Sequence, residues 1–143
     1  MGCDGLLNWY ENRDEIALLD YEEAFKKHVH WAKHLPDPYF VKASQAIIDR
    51  FADVTVPGMT ISASGFYGPQ GRVVRLPLAS PDINQRIEQF VYMGKRITNY
   101  EMESAPLAGL SRLLGHKAVT VCSVVATRVA KNANCNYNAA IRT

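Results

Sequence analysis

Features that would indicate a secreted, membrane or nucleic-acid-binding protein are scarce in this 143-residue sequence. The three cysteines are an odd number and form no CxxC pair, which argues against a disulfide framework and favours reduced thiols. No apolar run is long enough to cross a bilayer, and the start of the chain, MGCDGLLNWYENRDE, lacks the pattern of a secretory signal. The net charge is only +2, without a basic run. We therefore expect a cytoplasmic protein with no nucleic-acid or membrane partner.

What the sequence does contain is the mixture typical of a globular protein. Hydrophobic residues make up 48% of the chain and charged residues 21%, which is enough apolar material for a sizeable core. The length and the absence of repeats or low-complexity segments predict a single domain over 1–143.

Apolar periodicity and turn residues divide the chain into alternating helices and strands. The predicted helices are 21–35, 40–53, one opened by Ser80 and Pro81, and one from Ser104 to Gly115. The predicted strands are 59–64, a short edge strand at 73–78, 97–100, and an almost continuously apolar strand at 117–127. The last two strands and the helix between them would form a βαβ unit. The fold class is therefore predicted to be α/β, with helices packed on a mostly parallel or mixed sheet.

Two further patterns on the predicted helices concern metal binding and packing. His30 and His34 are four residues apart and could share one helix face, but no third ligand has suitable spacing, so no metal site is expected. Leu107, Leu110 and Leu114 recur at helical spacing and are predicted to face the core.

Function is expected where the strands end, because ligands of open α/β sheets bind beyond the carboxyl ends of the strands. One such end is YEME at 100–103. If the chain is extended there, Glu101 and Glu103 point one way and Met102 the other. Carboxylates can hold adjacent hydroxyls and stabilise positive charge near an anomeric carbon. They could also be solvated acids at the start of a helix.

The other two strand ends are the glycine-rich GFYGPQGR at 65–72 and ATR at 126–128. The Gln70 amide presents a donor and an acceptor side by side, which complements the lactam edge of a pyrimidine, and Arg72 lies two residues away. Phe66 could stack on a base, although a surface turn with an aromatic anchor would give the same pattern. Arg128 ends an apolar strand, where a cation either stabilises an anionic leaving group or extends to water.

In this order and with these intervals, GFYGPQGR, NYEMESA and VVATR resemble the C-terminal half of the nucleoside phosphorylase family. Within the family, the uridine phosphorylase branch is the most similar. The Glu-Met-Glu segment is specific for the family, and the loop with Phe, Gln and Arg, together with the terminal arginine, is specific for the pyrimidine branch. The resemblance implies the three-layer phosphorylase fold in part. It also implies that phosphate ligands come from the N-terminal half of the family, outside the matched motifs.

The resemblance also implies a role for each matched residue. Phe66 would pack against the base, and Gln70 and Arg72 would read the uracil edge. Arg128 would lie near the base and support its departure as an anion.

At the sugar end, Met102 and Glu103 would contact the ribose, with Glu103 on its hydroxyls. Glu101 would help to shape the sugar pocket. Glu103 and Arg128 are therefore the expected catalytic residues.

The implied reaction is reversible phosphorolysis of a pyrimidine nucleoside to free base and ribose 1-phosphate. No cofactor is expected, because phosphate is a co-substrate and itself the nucleophile. The expected partners are the nucleoside, phosphate and further copies of the chain, as a dimer or hexamer. Two alternatives stay open: a non-catalytic nucleoside-binding or assembly module, and a hydrolytic nucleosidase that uses water. The sequence does not distinguish uridine from thymidine and related nucleosides.

Overall fold

The computed structural model of the chain describes residues 1–124. Its helices and strands, in chain order, are α1 (Leu19–Val29), α2 (Gln45–Ile48), β1 (Met59–Ser62), α3 (Ile83–Gln89), β2 (Val91–Tyr92), β3 (Lys95–Glu101) and α4 (Ser104–Leu113). Short 3-10 turns occur at Leu6–Trp9, Glu11–Glu15, Asp49–Phe51 and Gly68–Gln70. Within residues 1–124, no helix is both long and apolar enough to traverse a membrane.

The three strands form one mixed sheet in the order β1-β3-β2. β1 and β3 are parallel and end together, with Ser62 opposite Glu101. β2 and β3 form an antiparallel hairpin whose two turn residues, Met93 and Gly94, have φ of 48° and 71°. Two left-handed residues match the right-handed twist of a tight hairpin. The predicted α/β class with a mixed sheet is confirmed, whereas strand β2 was not predicted.

The larger core cluster is centred on Phe25 of α1. Its ring contacts those of Phe40 and Phe90 edge to face, with centroids 5.5 and 5.2 Å apart. Ile61 of β1 and Ile87 of α3 belong to the same buried cluster. Burial of each large apolar side chain contributes about 1.5–3 kcal/mol, so these contacts anchor α1 and α3 to the sheet.

A smaller cluster of Leu7, Tyr39 and Ala105 holds α4 beside β1. A Cβ on Gly109 of α4 would lie 2.9 Å from Leu7 Cδ1, so a side chain at this position would require Leu7 to shift. Gly2 bridges both Ser62 and Tyr39, which joins the start of the chain to the carboxyl end of β1. The N-terminus of α4 is thereby fixed next to the end of β1.

The helix predicted for 21–35 is α1, but it ends earlier, at Val29. His30 has φ of 53°, and the Trp31 N–H bonds to the Lys26 carbonyl at 2.9 Å, which closes the helix well before Pro36. His34 therefore lies outside the helix, and the prediction that it shares a helix face with His30 is wrong. Among residues 1–124, no cluster of three His, Cys, Asp or Glu side chains could hold a metal ion.

The helix predicted for 40–53 is wrong in extent, because only α2 and the 3-10 turn after it are helical. Phe40 is drawn into the core, its carbonyl accepts the Leu18 N–H at 2.8 Å, and Val41 bridges Ala17. These backbone contacts keep the first predicted turn extended.

The edge strand predicted for 73–78 is also wrong. Val73, Val74 and Leu76 are 63–80% exposed and belong to no strand. A short run that contains Pro77 gains little without a neighbouring strand to supply ladder hydrogen bonds. Helix α3 begins at Ile83, with Asp82 as its N-cap residue. The prediction that Ser80 and Pro81 open this helix is therefore wrong.

The prediction that Leu107 and Leu114 face the core is wrong, whereas Leu110 is half-buried. Leu107 and Leu114 are 51% and 70% exposed, and the buried residues of the helix are Ser104, Ala105 and Gly109. Because these three side chains are small, the helix can pack closely against β1. Leucines at the same positions would hold the helix further away. Gly115, with φ of 74°, follows the last residues of the helix as predicted.

The apolar strand predicted for 117–127 is not formed over 117–124, where Val121 and Val124 are more than half exposed. The predicted βαβ unit is therefore wrong in this part of the chain. An apolar run indicates burial but does not specify which strand it will pair with. Residues 125–127 and Arg128 lie outside the described residues.

Candidate active site at the strand ends

The carboxyl ends of β1 and β3 lie side by side at one edge of the sheet. Ser62 and Glu101 are partners in register, and the Ala63 N–H continues the ladder to the Glu101 carbonyl at 2.9 Å. Helix α4 begins three residues later, at Ser104. Two strand ends and a helix N-terminus therefore meet at one point, where backbone N–H groups without helical partners are available.

The Glu101 carboxylate is the centre of the hydrogen bonds at this point. It accepts the Ser104 N–H at 2.6 Å, the Ser104 hydroxyl at 2.5 Å and the Glu103 N–H at 2.7 Å. The Ser62 hydroxyl donates a further short bond to it. One carboxylate thus satisfies two of the N–H groups that α4 leaves free, and it stabilises the helix start electrostatically.

The charge of Glu101 is favoured by these contacts. Partial burial raises the pKa of the Glu101 carboxyl, but the hydrogen bonds from Ser104, Ser62 and the two backbone N–H groups outweigh it and hold the pKa below its usual range. Glu101 therefore remains an acceptor at neutral pH.

Ser62 extends the network into the protein interior. It is fully buried, and its hydroxyl oxygen accepts the Ala105 N–H at 2.7 Å while its proton goes to Glu101. A hydroxyl can do both because it has one donor and two acceptor lone pairs. Ser62 and Ser104 are site residues that the sequence reasoning missed. A serine at the last position of a strand and another at the first position of a helix were the available signals.

The strand stops at Glu101, so the expectation that Glu101 and Glu103 point the same way along an extended chain is wrong. Met102 and Glu103 form a bend, and Glu103 precedes α4 as its N-cap residue with ψ of −24°. The Glu103 carboxylate accepts the Met102 N–H at 3.2 Å and is otherwise exposed, as is much of Met102. Glu101 is thus directed to the protein backbone and Glu103 to the surface.

The glycine-rich loop brings Phe66, Gln70 and Arg72 into mutual contact. The Arg72 guanidinium lies 3.8 Å from the centre of the Phe66 ring, a cation–π contact. Its Nη1 donates to Gln70 Oε1 at 2.6 Å and to the Phe66 carbonyl at 2.5 Å. The Gln70 side chain is buried, whereas Phe66 is 53% exposed. These contacts hold the loop, and about half of the Phe66 side chain stays exposed.

Asn84 of α3 connects this loop to β3. Its Nδ2 donates to the Gln70 carbonyl at 3.1 Å, and its Oδ1 accepts the Tyr100 hydroxyl at 3.1 Å. Neither Asn84 nor Tyr100 was singled out from the sequence, because nothing in the local pattern indicates that α3 reaches the loop.

Two open grooves of about 500 and 480 Å³ lie elsewhere in residues 1–124. The first is lined by residues of α1 and the turn before it, including Arg13 and Glu22, and the second by Asp4, Trp9 and Pro36 among others. None of the sequence-predicted site residues within 1–124 lines either groove. Arg128 lies outside the described residues, so its convergence with Gln70 and Glu103 stays a prediction.

A parallel strand pair with carboxylates at its carboxyl end and a glycine-rich loop beside it belongs to the class of α/β proteins that bind ligands at the sheet edge. The chain is a member of the phosphorylase superfamily, whose family model matches residues 5–140. The predicted family is thereby confirmed, and membership supports a nucleoside phosphorylase-type enzyme in general terms. Comparison with curated proteins gave no match, and neither did comparison with solved structures. The single-domain extent over 1–143 stays a prediction.

Proposed function

We propose that this chain acts as a uridine phosphorylase-like pentosyltransferase, which cleaves a pyrimidine nucleoside reversibly with phosphate. Membership of the phosphorylase superfamily supports the reaction type. The observation that favours a site at this edge is the Glu101 network, since it fixes the junction between β3 and α4 at which Met102 and Glu103 are exposed.

At the base end, Gln70 and Arg72 are proposed to read the uracil edge. Arg72 has further guanidinium donors besides the Nη1 that it uses on Gln70 and Phe66. An arginine stacked on an aromatic ring keeps its donors in one plane, which suits an edge-on contact with uracil carbonyls. The half-exposed Phe66 side chain would pack against the base.

At the sugar end, Glu103 is proposed to hold the ribose hydroxyls. Its carboxylate is exposed and accepts one bond, from the Met102 N–H, which leaves acceptor capacity for hydroxyl donors. Negative charge near the sugar also stabilises the oxocarbenium character that develops as the glycosidic bond breaks. In this proposal Glu101 shapes the pocket from behind, because its oxygens are bonded to the protein.

Phosphate is proposed as the nucleophile at the anomeric carbon, and Arg128 as the cation that supports departure of the base as an anion. The phosphate takes the ribosyl group, the bonding electron pair leaves with uracil, and a proton from solvent neutralises the base. No organic cofactor enters this balance.

The test is release of uracil from uridine, followed chromatographically with and without phosphate. We expect phosphate-dependent release, reduced about a hundredfold or more in Glu103→Ala and Arg128→Ala. Glu88→Ala, which removes an exposed acid of α3, is the matched control and should retain activity. Phosphate-independent release of ribose would instead indicate a hydrolytic nucleosidase. Uridine binding without any turnover would indicate a non-catalytic module, and either result would contradict the proposal.

We further propose that the chain is cytoplasmic and self-associates as a dimer or hexamer. The thiols of Cys3 and Cys122 are free, in keeping with a reducing compartment. Val91 and Met93 of the β2 hairpin are 53% and 72% exposed, which favours an apolar contact there. Native mass spectrometry would test the self-association, and a strictly monomeric chain would contradict it.

A further inference from the structure

Asn84 occupies the space between the glycine-rich loop and β3. It is half-buried on α3, and its side-chain amide donates to the loop at the Gln70 carbonyl and accepts from β3 at the Tyr100 hydroxyl. The direction of the amide is determined chemically, because a main-chain carbonyl can only accept and so must face the NH₂ group.

The fit of Asn84 against the loop is close. Gly71 has φ of 71°, and a Cβ on this residue would overlap the Asn84 amide. Glycine is therefore favoured at position 71 for two reasons. It adopts the left-handed backbone conformation without strain, and it leaves room for the Asn84 side chain. The backbone of the loop is thus positioned by a side chain from another element.

The two ends of this bridge adjoin the two halves of the proposed site. Gln70 and Arg72 belong to the base end, and Tyr100 directly precedes Glu101, where the sugar end begins. We propose that Asn84 is a positioning residue that sets the base-reading loop at a fixed distance from the end of β3, and so determines selectivity for the base. This inference rests on the proposed function of the two halves.

The bridge can be divided into its two bonds by substitution. Asn84→Asp keeps an oxygen for the Tyr100 hydroxyl but removes the donor to the Gln70 carbonyl. Tyr100→Phe does the reverse and leaves the Asn84 contact with the loop intact. We expect Asn84→Asp to disturb the loop more than Tyr100→Phe, because two facing oxygens repel each other. Gln85→Ala, on the same helix and exposed, is the matched control.

The experiment compares the affinities of uridine and cytidine for each variant by calorimetric titration of the full chain. Uridine and cytidine differ at the base edge that the loop would contact, so a loop in a fixed position should distinguish them. The ratio of uridine to cytidine affinity should therefore fall about tenfold in Asn84→Ala. It should stay unchanged in Gln85→Ala. General loss of folding would lower both affinities together, and such a parallel loss, or an unchanged ratio, would overturn the inference.

Amide hydrogen exchange separates this inference from the proposed function. The Gln70, Gly71 and Arg72 N–H groups are bonded within the loop, to the Tyr67 and Gly68 carbonyls. They should exchange about tenfold faster in Asn84→Ala than in Gln85→Ala. If the unsubstituted chain binds no nucleoside, the proposed function fails, while exchange still decides whether Asn84 holds the loop. Equal exchange in the two variants would overturn the positioning role.

Discussion

The hydroxyl of Ser62 lies between the Glu101 carboxylate, to which it donates, and the Ala105 N–H, from which it accepts. This buried contact joins the end of β1, the end of β3 and the first turn of α4. Because β1 and β3 end in register at this point, loss of the hydroxyl affects three elements together.

Replacing Ser62 with alanine should lower the free energy of unfolding by about 1–3 kcal/mol, because the buried Ala105 N–H loses its acceptor. Urea unfolding measures the change. Ser64→Ala removes an exposed hydroxyl two residues away and should change stability by less than about 0.5 kcal/mol. Equal effects of the two substitutions would show that the Ser62 network does not stabilise the junction.

The decrease in the free energy of unfolding at acid pH should depend on Glu101. The hydrogen bonds around Glu101 hold its folded-state pKa below the ordinary value, so the folded chain binds the proton less readily than the unfolded chain. Its stabilising contribution is therefore complete above the ordinary carboxyl pKa, about 4.3, and is lost as the pH falls through the lower folded value. Glu101→Gln should be less stable than the parent chain at neutral pH.

The difference between the two chains should then shrink below about pH 4, as the parent carboxyl becomes protonated. Unfolding by urea at a series of pH values measures this. A difference that stays constant or grows toward acid pH would contradict the assigned role of Glu101.

Glu103 should behave in the opposite way, with an effect on binding and little effect on stability. Its side chain is exposed, and glutamine can still accept the Met102 N–H. Glu103→Gln should change the free energy of unfolding by less than about 0.5 kcal/mol. Uridine affinity should fall roughly tenfold to a hundredfold, because a charge-assisted bond to the ribose is weakened. Unaltered affinity by calorimetry, with Glu88→Gln as control, would remove Glu103 from the site.

Substitution of two glycines with the same φ distinguishes the cost of backbone strain from the cost of steric overlap. Gly71 and Gly94 both have φ of 71°, but a Cβ would overlap Asn84 only at Gly71 and would meet nothing within 4 Å at Gly94. Gly94→Ala should cost about 1–2 kcal/mol, and Gly71→Ala about 2–4 kcal/mol because Asn84 must also move. Equal costs in thermal or urea unfolding would mean that the loop and α3 are not closely packed.

The α/β class and the two parallel strands were predictable from the sequence, because they depend on local patterns. Met59–Ser62 and Lys95–Glu101 contain β-branched residues between turn signals, and their polar ends marked the edge where Glu101 and Glu103 lie. The loop around Phe66, Gln70 and Arg72 was likewise predicted from its glycine-rich composition, although a short 3-10 turn forms within it.

What could not be predicted depends on contacts between distant segments. The strand expected at 73–78 failed because strand formation requires a partner, which composition does not reveal. The leucines of α4 were placed inward by periodicity alone, whereas Gly109 and Ser104 let the helix pack closely on the opposite side. Ser62 bonds to Glu101, which is 39 positions away, and Asn84 bonds to Tyr100, which is 16 positions away. No local sequence pattern indicates contacts over such separations.

The glycine-rich loop and the end of β3 are proposed to bind one and the same nucleoside. The most direct measurement is titration of the ¹⁵N-labelled chain with uridine, followed by the amide resonances of residues 66–72 and 101–105. We expect both groups to shift along one binding curve, with a single dissociation constant. Shifts in only one group, or shifts confined to the groove lined by Arg13 and Glu22, would contradict the account.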